Sequence, residues 1–253
     1  MQGIEMPAGV RGDLRKDDEL RPMDFTWDVA PNAAGSILLK CGGTQVICCA
    51  TVEEKVPRWM KEQGVLGGWI TAEYSMLPYS TLERKPRDIT RGKLDGRSQE
   101  IQRLIGRALR ASANLEKVGE RTIWIDCDVV AADGGTRTTA ITGAYLALKM
   151  AIQRLLKQEL ISESPLLHAV AATSVGIFEE RVILDLCYVE DKDAEVDMNL
   201  VMTDEGRMVE IQASGEESTF SNEQFESMIK MGRAGIKKLF AFQTQAWEGL
   251  SSQ

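Results

Sequence analysis

Two short segments near the start of the chain have the composition of β-strands. Residues 36–41 (SILLKC) and 44–52 (TQVICCATV) are rich in apolar and β-branched side chains, which favour a half-buried, extended backbone. The two glycines between them, Gly42 and Gly43, accept the positive φ angles of a tight turn. The pattern therefore predicts a β-hairpin.

A helical period appears between residues 98 and 116. Apolar or small side chains recur there three or four positions apart, at Ile101, Leu104, Ile105, Ala108, Leu109 and Ser112. This spacing predicts an amphipathic helix that carries its arginines outside the apolar face. Residues 54–70 and 76–93 mix proline, glycine and charge without a clear period, so we predict loops there.

The second half of the chain alternates strand and helix patterns. Strands are predicted over residues 122–130, 169–178, 181–188, 198–202 and 208–213. One helix is predicted from about Thr138, and a final helix over residues 222–243 begins with the capping box formed by Ser221 and Gln224. Two strand-rich halves that each contain a helix predict an α+β fold.

The composition fits a single compact domain over residues 1–253. Hydrophobic residues make up 43% of the chain, which is enough apolar material for a sizeable core. We expect flexibility only at the ends, as an N-terminal extension over residues 1–18 and a tail over residues 249–253. The charged first residues and the lack of a long apolar run predict a soluble, cytoplasmic protein with no membrane segment.

Cysteine and histidine usage narrows the possible chemistry. The five cysteines show no C-x-x-C or Cys/His ligand spacing, which favours buried thiols in a reducing compartment over zinc ligands or disulfides. The single histidine, His168, opens an apolar run and is expected to be packed and hydrogen-bonded. A histidine-based catalytic triad is therefore disfavoured.

Charge is distributed unevenly along the chain. The net charge of −8 disfavours nucleic-acid binding over the whole surface. From residue 84 to residue 110, however, nine basic side chains stand against three acidic ones. Such a basic tract can attract a phosphate-rich partner, although a solvated or salt-bridged helix face would give the same count.

The segment from Ala132 to Thr138 (ADGGTRT) is a candidate anion site because it leads from a predicted strand into a predicted helix. Its glycines let the backbone approach a ligand, and the free N–H groups of a helix start favour a negative charge. Arg137, Thr136 and Thr138 add a cation and two hydroxyl donors. A phosphate would fit here, and so would a purely structural glycine turn with a threonine cap.

Arg97 is a second candidate cation, placed just before the arginine-bearing helix. A positive charge at a helix start is unfavourable against the helix dipole, so Arg97 calls for an anionic partner. That partner is either a ligand or a nearby carboxylate, and Asp95 and Glu100 are the candidates in the sequence.

Carboxylates cluster over residues 190–197 (EDKDAEVD), directly after a predicted strand. Asp191 and Asp197 are the pair of interest, because two close carboxylates with room for water suit Mg²⁺ or Mn²⁺ beside phosphate oxygens. A solvated acidic loop is the alternative.

Five stretches of the chain resemble, in order, the signature blocks of the ribonuclease PH family. They are GSILLKCGGTQVICCATVEEKVPRW, GWITAEYSMLP, GRSQEIQRLIGRALRA, DCDVVAADGGTRTTAITGAYLAL and YVEDKDAEVDMNLVMT. The resemblance covers nearly everything from about Leu20 to Gln243, so it is far more specific than any single motif.

The resemblance implies a fold, an activity and an assembly. The fold would be the βαβ type of ribosomal protein S5 domain 2, with mixed sheets packed with helices. The chain would trim the 3′ ends of tRNA precursors with inorganic phosphate and a divalent metal, Mg²⁺ or Mn²⁺. It would do so as a homohexameric ring, a trimer of dimers.

The site residues of the family transfer onto matching positions of this sequence. The phosphate-binding positions are Arg97, Gly135, Thr136 and Arg137, and the catalytic, metal-binding carboxylates are Asp191 and Asp197. Arg84 and Arg87 match arginines that support ring assembly. Tyr79 departs from the pattern at a position where arginine is common.

Two other functions belong to different classes. A catalytically silent, RNA-binding ring subunit of the same fold is disfavoured because both arginines and both aspartates are retained. A small-molecule phosphate or nucleotide enzyme is disfavoured because the basic tract is longer than a mononucleotide requires.

Overall fold

The computed structural model describes residues 11–93, 95–215 and 217–251. The first sheet contains the strands β1 (Met23–Trp27), β2 (Gly35–Cys41), β3 (Thr44–Glu53), β4 (Trp69–Met76) and β5 (Thr122–Ala131). Their order across the sheet is β1-β2-β3-β5-β4. Neighbouring strands run antiparallel except β4 and β5, which are parallel, so this sheet is mixed.

The second sheet is antiparallel throughout. It contains β6 (Val170–Phe178), β7 (Arg181–Leu184), β8 (Val196–Thr203) and β9 (Met208–Gly215), in the order β7-β6-β8-β9. The helices are α1 (Arg58–Gln63), α2 (Asp88–Arg91), α3 (Gly96–Ala111), α4 (Leu115–Val118), α5 (Thr136–Lys157), α6 (Tyr188–Asp193) and α7 (Asn222–Ser251). The α+β fold predicted from the sequence is confirmed.

Helix α5 lies between the two sheets. On one side Gly143 approaches β3 so closely that an added Cβ would lie 2.8 Å from the Cys48 sulfur. On the other side the Thr142 hydroxyl accepts a hydrogen bond from the Ala172 N–H of β6 at 3.2 Å. Close packing on both sides fixes the position of the start of α5.

Strand β6 is covered on both faces. Val170 and Ala172 join the hydrophobic cluster that contains α5, whereas Ala171 and Val175 join the cluster that contains Ile236 of α7. Successive side chains of a strand point to opposite faces, so β6 packs against α5 with one face and against α7 with the other. The long apolar run of this strand is the sequence signature of such two-sided burial.

Several predictions of local structure are confirmed. The hairpin forms with Gly42 at a φ of 55°, and the strands near residues 122, 170, 198 and 208 are present. The capping box forms, because the Ser221 N–H donates to Gln224 Oε1 at 2.8 Å and the Gln224 N–H donates to Ser221 Oγ at 3.2 Å. Helix α7 continues through Ser251, and residues 252 and 253 of the expected tail lie outside the described residues.

Other predictions of local structure are wrong. The two stretches assigned to loops contain α1, α2 and the start of β4, and the strand predicted to reach residue 188 ends at Leu184, with α6 beginning at Tyr188. Strand β1 lies in a stretch where the pattern predicted nothing. The helices α1, α2 and α6 have only four to six residues, which are too few to display a helical period. Strand β4 is an edge strand, and its pairing with β5 is decided by the tertiary structure.

Residues 11–21 form what we call the N-terminal strap, which is held against the protein by buried arginines. The Arg11 guanidinium donates to both carboxylate oxygens of Glu190, at 2.7 and 2.6 Å. Arg21 donates in the same way to both oxygens of Asp185. Residues 1–10 of the expected flexible extension lie outside the described residues, whereas residues 11–18 lie against the body of the protein through these contacts.

The cysteines and the histidine occupy the places that composition favours. All five cysteines are free thiols, and Cys41, Cys48 and Cys127 are buried. The His168 ring is partly buried, with Nδ1 at 3.6 Å from a carboxylate oxygen of Glu205. Within residues 11–251, as far as they are described, no helix is long and apolar enough to cross a membrane.

Candidate active site

Arg137 joins three parts of the fold at the start of α5. Its Nη1 donates to the side-chain oxygen of Gln212 on β9 at 2.7 Å and lies 3.4 Å from the carboxylate of Glu100 on α3. Gln212 donates in turn to Glu100 at 3.3 Å. The start of α5 therefore faces both α3 and the second sheet, and this junction is the candidate site.

The glycine turn, residues 133–135, leads from β5 into α5. Gly134 and Gly135 have φ angles of 72° and 59°, which glycine adopts at low cost. Gly135 is the N-cap residue, and no side chain caps the helix, so the first N–H groups of α5 can receive an anion. The threonine cap considered as an alternative is absent, because the Thr138 hydroxyl donates back to the Gly135 carbonyl at 2.9 Å.

Three groups from other elements hold the glycine turn. The Thr44 hydroxyl donates to the Gly134 carbonyl at 2.7 Å and accepts from the Asp133 N–H at 2.9 Å. The Tyr188 N–H donates to Asp133 Oδ1 at 3.2 Å. Arg21 Nη1 donates to the Asp133 carbonyl. Together these contacts determine the direction in which the N–H groups of α5 point.

Tyr74 of β4 supports Thr136, the first residue of α5. The buried Tyr74 hydroxyl donates to Thr136 Oγ1 at 2.8 Å. Burial raises the pKa of Tyr74, which keeps its hydroxyl protonated at neutral pH. Because the Thr136 oxygen already accepts this bond, its own O–H remains a donor for a ligand.

Arg97 lies in the first turn of α3 and is exposed. Neither carboxylate suggested by the sequence pairs with it, since Asp95 lies 3.7 Å from Lys85 and Glu100 pairs with Arg137. Across the described part of the chain, no carboxylate lies within ion-pair distance of Arg97. Among the described residues, the cation at this helix start therefore has no carboxylate in direct contact.

Asp197 of β8 lies within the electrostatic reach of both arginines. Its Oδ2 accepts a hydrogen bond from the Asn199 amide at 3.2 Å, while its Oδ1 is buried and has no hydrogen-bond partner in the described structure. Burial and the charge of Asp191 raise the pKa of Asp197 to about 6, and Arg137 and Arg97 act in the opposite direction. The structure thus brings the four predicted charged residues into one neighbourhood.

The residues present fit a divalent cation beside Asp197. Asp191 on α6 is close enough to act on the pKa of Asp197 by charge repulsion, which a cation would relieve. The same cation would give the buried Oδ1 of Asp197 a partner. No group of three or more His, Cys, Asp or Glu side chains arranged for a metal occurs among the described residues, so water or substrate oxygens would complete the coordination.

Arg84 and Arg87 lie in the segment between β4 and α2. Both side chains are exposed. Arg87 lines a cavity of about 370 Å³ together with Lys85, Asp126 and Asp128. Their exposure leaves both arginines accessible to another molecule.

The pattern of the sequence located the charged residues of the site but missed their neutral partners. Tyr74, Asn199 and Gln212 lie on strands, where a polar or aromatic side chain is ordinary. No local signal distinguishes these positions, because their partners come from other elements. Arg21 was missed for the same reason, since its contacts lie more than 100 residues away in the chain.

Comparison with protein families and curated relatives gives consistent matches. The model described as "3′ exoribonuclease family, domain 1" matches residues 19–152, and the model described as "domain 2" of that family matches residues 168–235. A ribonuclease PH of Halalkalibacterium halodurans is 51% identical over 96% of this chain and 95% of its own length. That of Bacillus subtilis is 53% identical over 91% and 94%.

Comparison with solved structures supports the fold. A crystal structure of rice (Oryza sativa) Rrp46 matches with a TM-score of 0.75 and 22% identity, covering 94% of this chain and all of that one. The Archaeoglobus fulgidus exosome with RNA bound to the active site contains a chain that matches with a TM-score of 0.77 and 19% identity, covering 92% of each chain. At these identities the likeness extends to the fold alone.

A methyl group added at Gly134 should disrupt the glycine turn. Its Cβ would lie 2.5 Å from the Leu186 carbonyl oxygen and 2.8 Å from the Tyr188 nitrogen. Gly206 is the matched control, because its φ of 79° is equally unfavourable for alanine but an added Cβ meets nothing within 4 Å.

We expect Gly206→Ala to lower the free energy of unfolding by about 1–2 kcal/mol from backbone strain alone. Gly134→Ala should lose a further ~1–3 kcal/mol from the collision with fixed backbone. Urea unfolding of both variants measures the difference. Equal losses would contradict the described packing of α6 against the turn.

Proposed function

The chain belongs to the ribonuclease PH family of 3′ exoribonucleases, and on this basis we propose that it shortens the 3′ ends of tRNA precursors by phosphorolysis. The enzyme transfers each 3′-terminal nucleotide to inorganic phosphate and releases a nucleoside diphosphate. The observation that carries the proposal is the identity of 51% and 53% to ribonucleases PH over 96% and 91% of the chain.

The reaction requires little proton chemistry from the protein. An oxygen of inorganic phosphate forms a bond to the phosphorus of the last phosphodiester, and the bond from that phosphorus to the 3′ oxygen of the preceding nucleotide breaks. The leaving 3′ oxygen takes up a proton, and the attacking phosphate gives one up, so the step balances without a proton from the protein. Phosphate is already anionic at neutral pH, so a strong general base is not obligatory. The main task is to bring several negative charges together, which agrees with a site built from arginines.

We assign the attacking phosphate to the space between α3 and α5. Arg97 and Arg137 supply two cations, and the uncapped start of α5 at Gly135 supplies N–H donors. The Thr136 hydroxyl adds a neutral donor. The lack of a direct counter-charge on Arg97 supports the assignment, because an anion would offset the unfavourable interaction of this cation with the dipole of α3.

We assign a divalent metal, Mg²⁺ or Mn²⁺, to Asp191 and Asp197. When bound there, the ion would offset charge on the phosphate oxygens during transfer. Asp197 has a raised pKa of about 6, so its carboxylate is largely ionised at neutral pH and can act as a ligand. The buried, unpartnered Oδ1 of Asp197 supports this role.

Part of the basic tract supports binding of the RNA backbone. Arg107 is committed to Glu210 at 2.7 Å, and Arg110 donates to the Ile70 carbonyl at 2.8 Å. The exposed Arg103 remains on the same helix as Arg97. Some arginines of the basic tract over residues 84–110 are therefore held by protein partners, as the salt-bridged alternative predicts. Exposed cations such as Arg103 extend the positive surface beyond the phosphate site.

We further propose that the chain assembles as a homohexamer, a trimer of dimers, with Arg84 and Arg87 at a contact between subunits. The side chains of Tyr79 and Leu82 near these arginines are 67% and fully exposed, which leaves apolar surface for a second copy of the chain to cover.

The five free thiols support a reducing compartment, in agreement with a cytoplasmic location.

Incubation of the purified protein with a 3′-extended tRNA tests phosphorolysis directly. Shortening should require inorganic phosphate, should not be supported by sulfate, and should release nucleoside diphosphates that chromatography separates from monophosphates. If sulfate also supported shortening, the reaction would need only an anion, and phosphate would not be its co-substrate. Equal shortening without phosphate, with monophosphates as products, would refute the proposal.

The alanine variant of Arg97 tests the phosphate assignment. Arg97→Ala removes a charge-assisted contact worth about 1.5–3 kcal/mol, so the phosphate KM should rise roughly ten- to hundredfold with a smaller effect on RNA affinity. Arg103→Ala, on the same helix, is the control and should leave the phosphate KM unchanged. Equal phosphate dependence in the two variants would place the phosphate elsewhere.

The asparagine variant of Asp197 tests the metal assignment. Asp197→Asn should weaken Mn²⁺ binding, measured by calorimetry, and nearly abolish turnover while RNA binding persists, because a charged ligand becomes a neutral one. Asp193→Asn is the control, since Asp193 is an exposed carboxylate of α6. Unchanged Mn²⁺ affinity in Asp197→Asn would disprove the assignment.

A further inference from the structure

We propose that Arg21 is a positioning residue, which holds the glycine turn against Asp185 so that the start of α5 presents its N–H groups and Arg137 to phosphate. Arg21 precedes β1, Asp185 follows β7, and the glycine turn follows β5. The contact therefore connects three distant parts of the chain. The inference rests on the proposed function, because it concerns how phosphate is held.

One edge of the Arg21 guanidinium is bound to Asp185. Nη2 donates to Oδ1 at 2.7 Å and Nε donates to Oδ2 at 3.1 Å. The Arg21 backbone N–H also donates to Oδ2, at 2.8 Å. Both residues are 3% exposed, so water does not compete for these bonds, and the planar pairing fixes the orientation of the guanidinium.

The other edge of the same guanidinium contacts the glycine turn. Nη1 donates to the Asp133 carbonyl and lies 3.4 Å from the Gly134 carbonyl. Gly135 packs so closely on Arg21 that an added Cβ would lie 2.7 Å from Nη2. One side chain thus touches all three residues of the turn that leads into the phosphate site.

Asp185 provides a fixed anchor for Arg21. Its backbone is in the left-handed region at a φ of 54°, and its N–H donates to the Ser174 carbonyl of β6 at 2.7 Å. Arg15 of the N-terminal strap donates to its carbonyl at 3.0 Å. The second sheet and the N-terminal strap thus hold Asp185 in place, and Asp185 in turn holds the guanidinium of Arg21.

A buried ion pair is weak evidence for stability, because apolar residues of similar volume often replace such a pair without loss. What such a pair does provide is a fixed orientation of the two side chains. Arginine donates from several N–H groups in one plane, which lets it join a carboxylate to two carbonyls, whereas lysine has a single ammonium group. The geometry around Arg21 uses this property on both edges.

Two variants separate positioning from stability. Arg21→Lys keeps the charge but not the planar donors. The double variant Arg21→Met with Asp185→Asn removes both charges together, and asparagine tolerates the left-handed backbone of position 185. For each variant we would measure the phosphate KM and kcat at saturating RNA, the RNA Kd without phosphate, and the thermal unfolding temperature.

The expected result is a rise in the phosphate KM of about tenfold in Arg21→Lys and more in the double variant, the scale of one displaced charge-assisted contact. The RNA Kd should change less than the phosphate KM, because the proposed RNA surface with Arg103 extends beyond the phosphate site. If the double variant does not fold, Arg21→Lys decides the question alone.

Arg154 and Asp28 form the control pair, which has a similar bonding pattern but is more exposed than Arg21 and Asp185. Arg154 likewise joins a carboxylate, on Asp28 at 2.5 Å, to a backbone carbonyl, on Ala33 at 2.8 Å, and Asp28 also has a positive φ, of 56°. The pair lies near the opposite end of α5. Arg154→Lys and Arg154→Met with Asp28→Asn should leave the phosphate KM unchanged.

The outcomes distinguish this inference from the proposed function. If Arg97→Ala raises the phosphate KM while both Arg21 variants keep the wild-type value, the phosphate site stands and the positioning role of Arg21 is overturned. A fall in kcat alone, in proportion to the unfolded fraction, would likewise reduce Arg21 to a structural role. A wild-type enzyme that does not use phosphate would overturn both proposals.

Discussion

The two sheets pack against opposite sides of helix α5, and the close contacts of Gly143 with Cys48 and of Thr142 with Ala172 leave this helix no room to slide or rotate. Its start must therefore lie near the end of β5, because only the four residues 132–135 join the two elements. Because the N–H groups at that start have no side-chain cap, the packing of an apolar helix also fixes the place and direction of the proposed anion site.

The site combines complementary charges from the two halves of the chain. The cations Arg97 and Arg137 come from α3 and α5, which pack on the first sheet, whereas Asp197 comes from β8 of the second sheet and Asp191 from α6, the helix between β7 and β8. Neither half would hold both a phosphate and a metal. The contact of Arg137 with Gln212 is a local consequence of bringing these halves together, and the charges of Arg137 and Arg97 act to lower the pKa of Asp197, which burial and Asp191 raise.

Polar contacts between distant parts of the chain maintain this junction. Thr44, Tyr188 and Arg21 each bind the glycine turn, and Arg11 holds Glu190, the neighbour of Asp191, at 2.6 Å. Such contacts are directional, unlike apolar packing. They explain how a turn of flexible residues keeps one conformation, and they connect the N-terminal strap, which lies far from Arg137 in the sequence, to the turn that leads into α5.

The sequence by itself determined the elements with long periods and the residues with distinctive chemistry. The apolar spacing of α3, α5 and α7, the capping box at Ser221, and the glycine turn with its arginine are local properties, since each depends on residues within a few positions of one another. The ordered signature blocks added the family and its activity. The short helices and the edge strand β4 lacked such a period and were missed.

Only the tertiary structure decided which charges meet. Arg97, next to Asp95 and Glu100 in the sequence, pairs with neither, because Lys85 and Arg137 lie closer to those carboxylates in space. Tyr74, Asn199, Gln212 and Arg21 became site residues through partners on other elements. Hydrogen bonds and ion pairs act over a few ångströms of space, irrespective of separation along the chain, and those distances are set only when the two sheets close on α5.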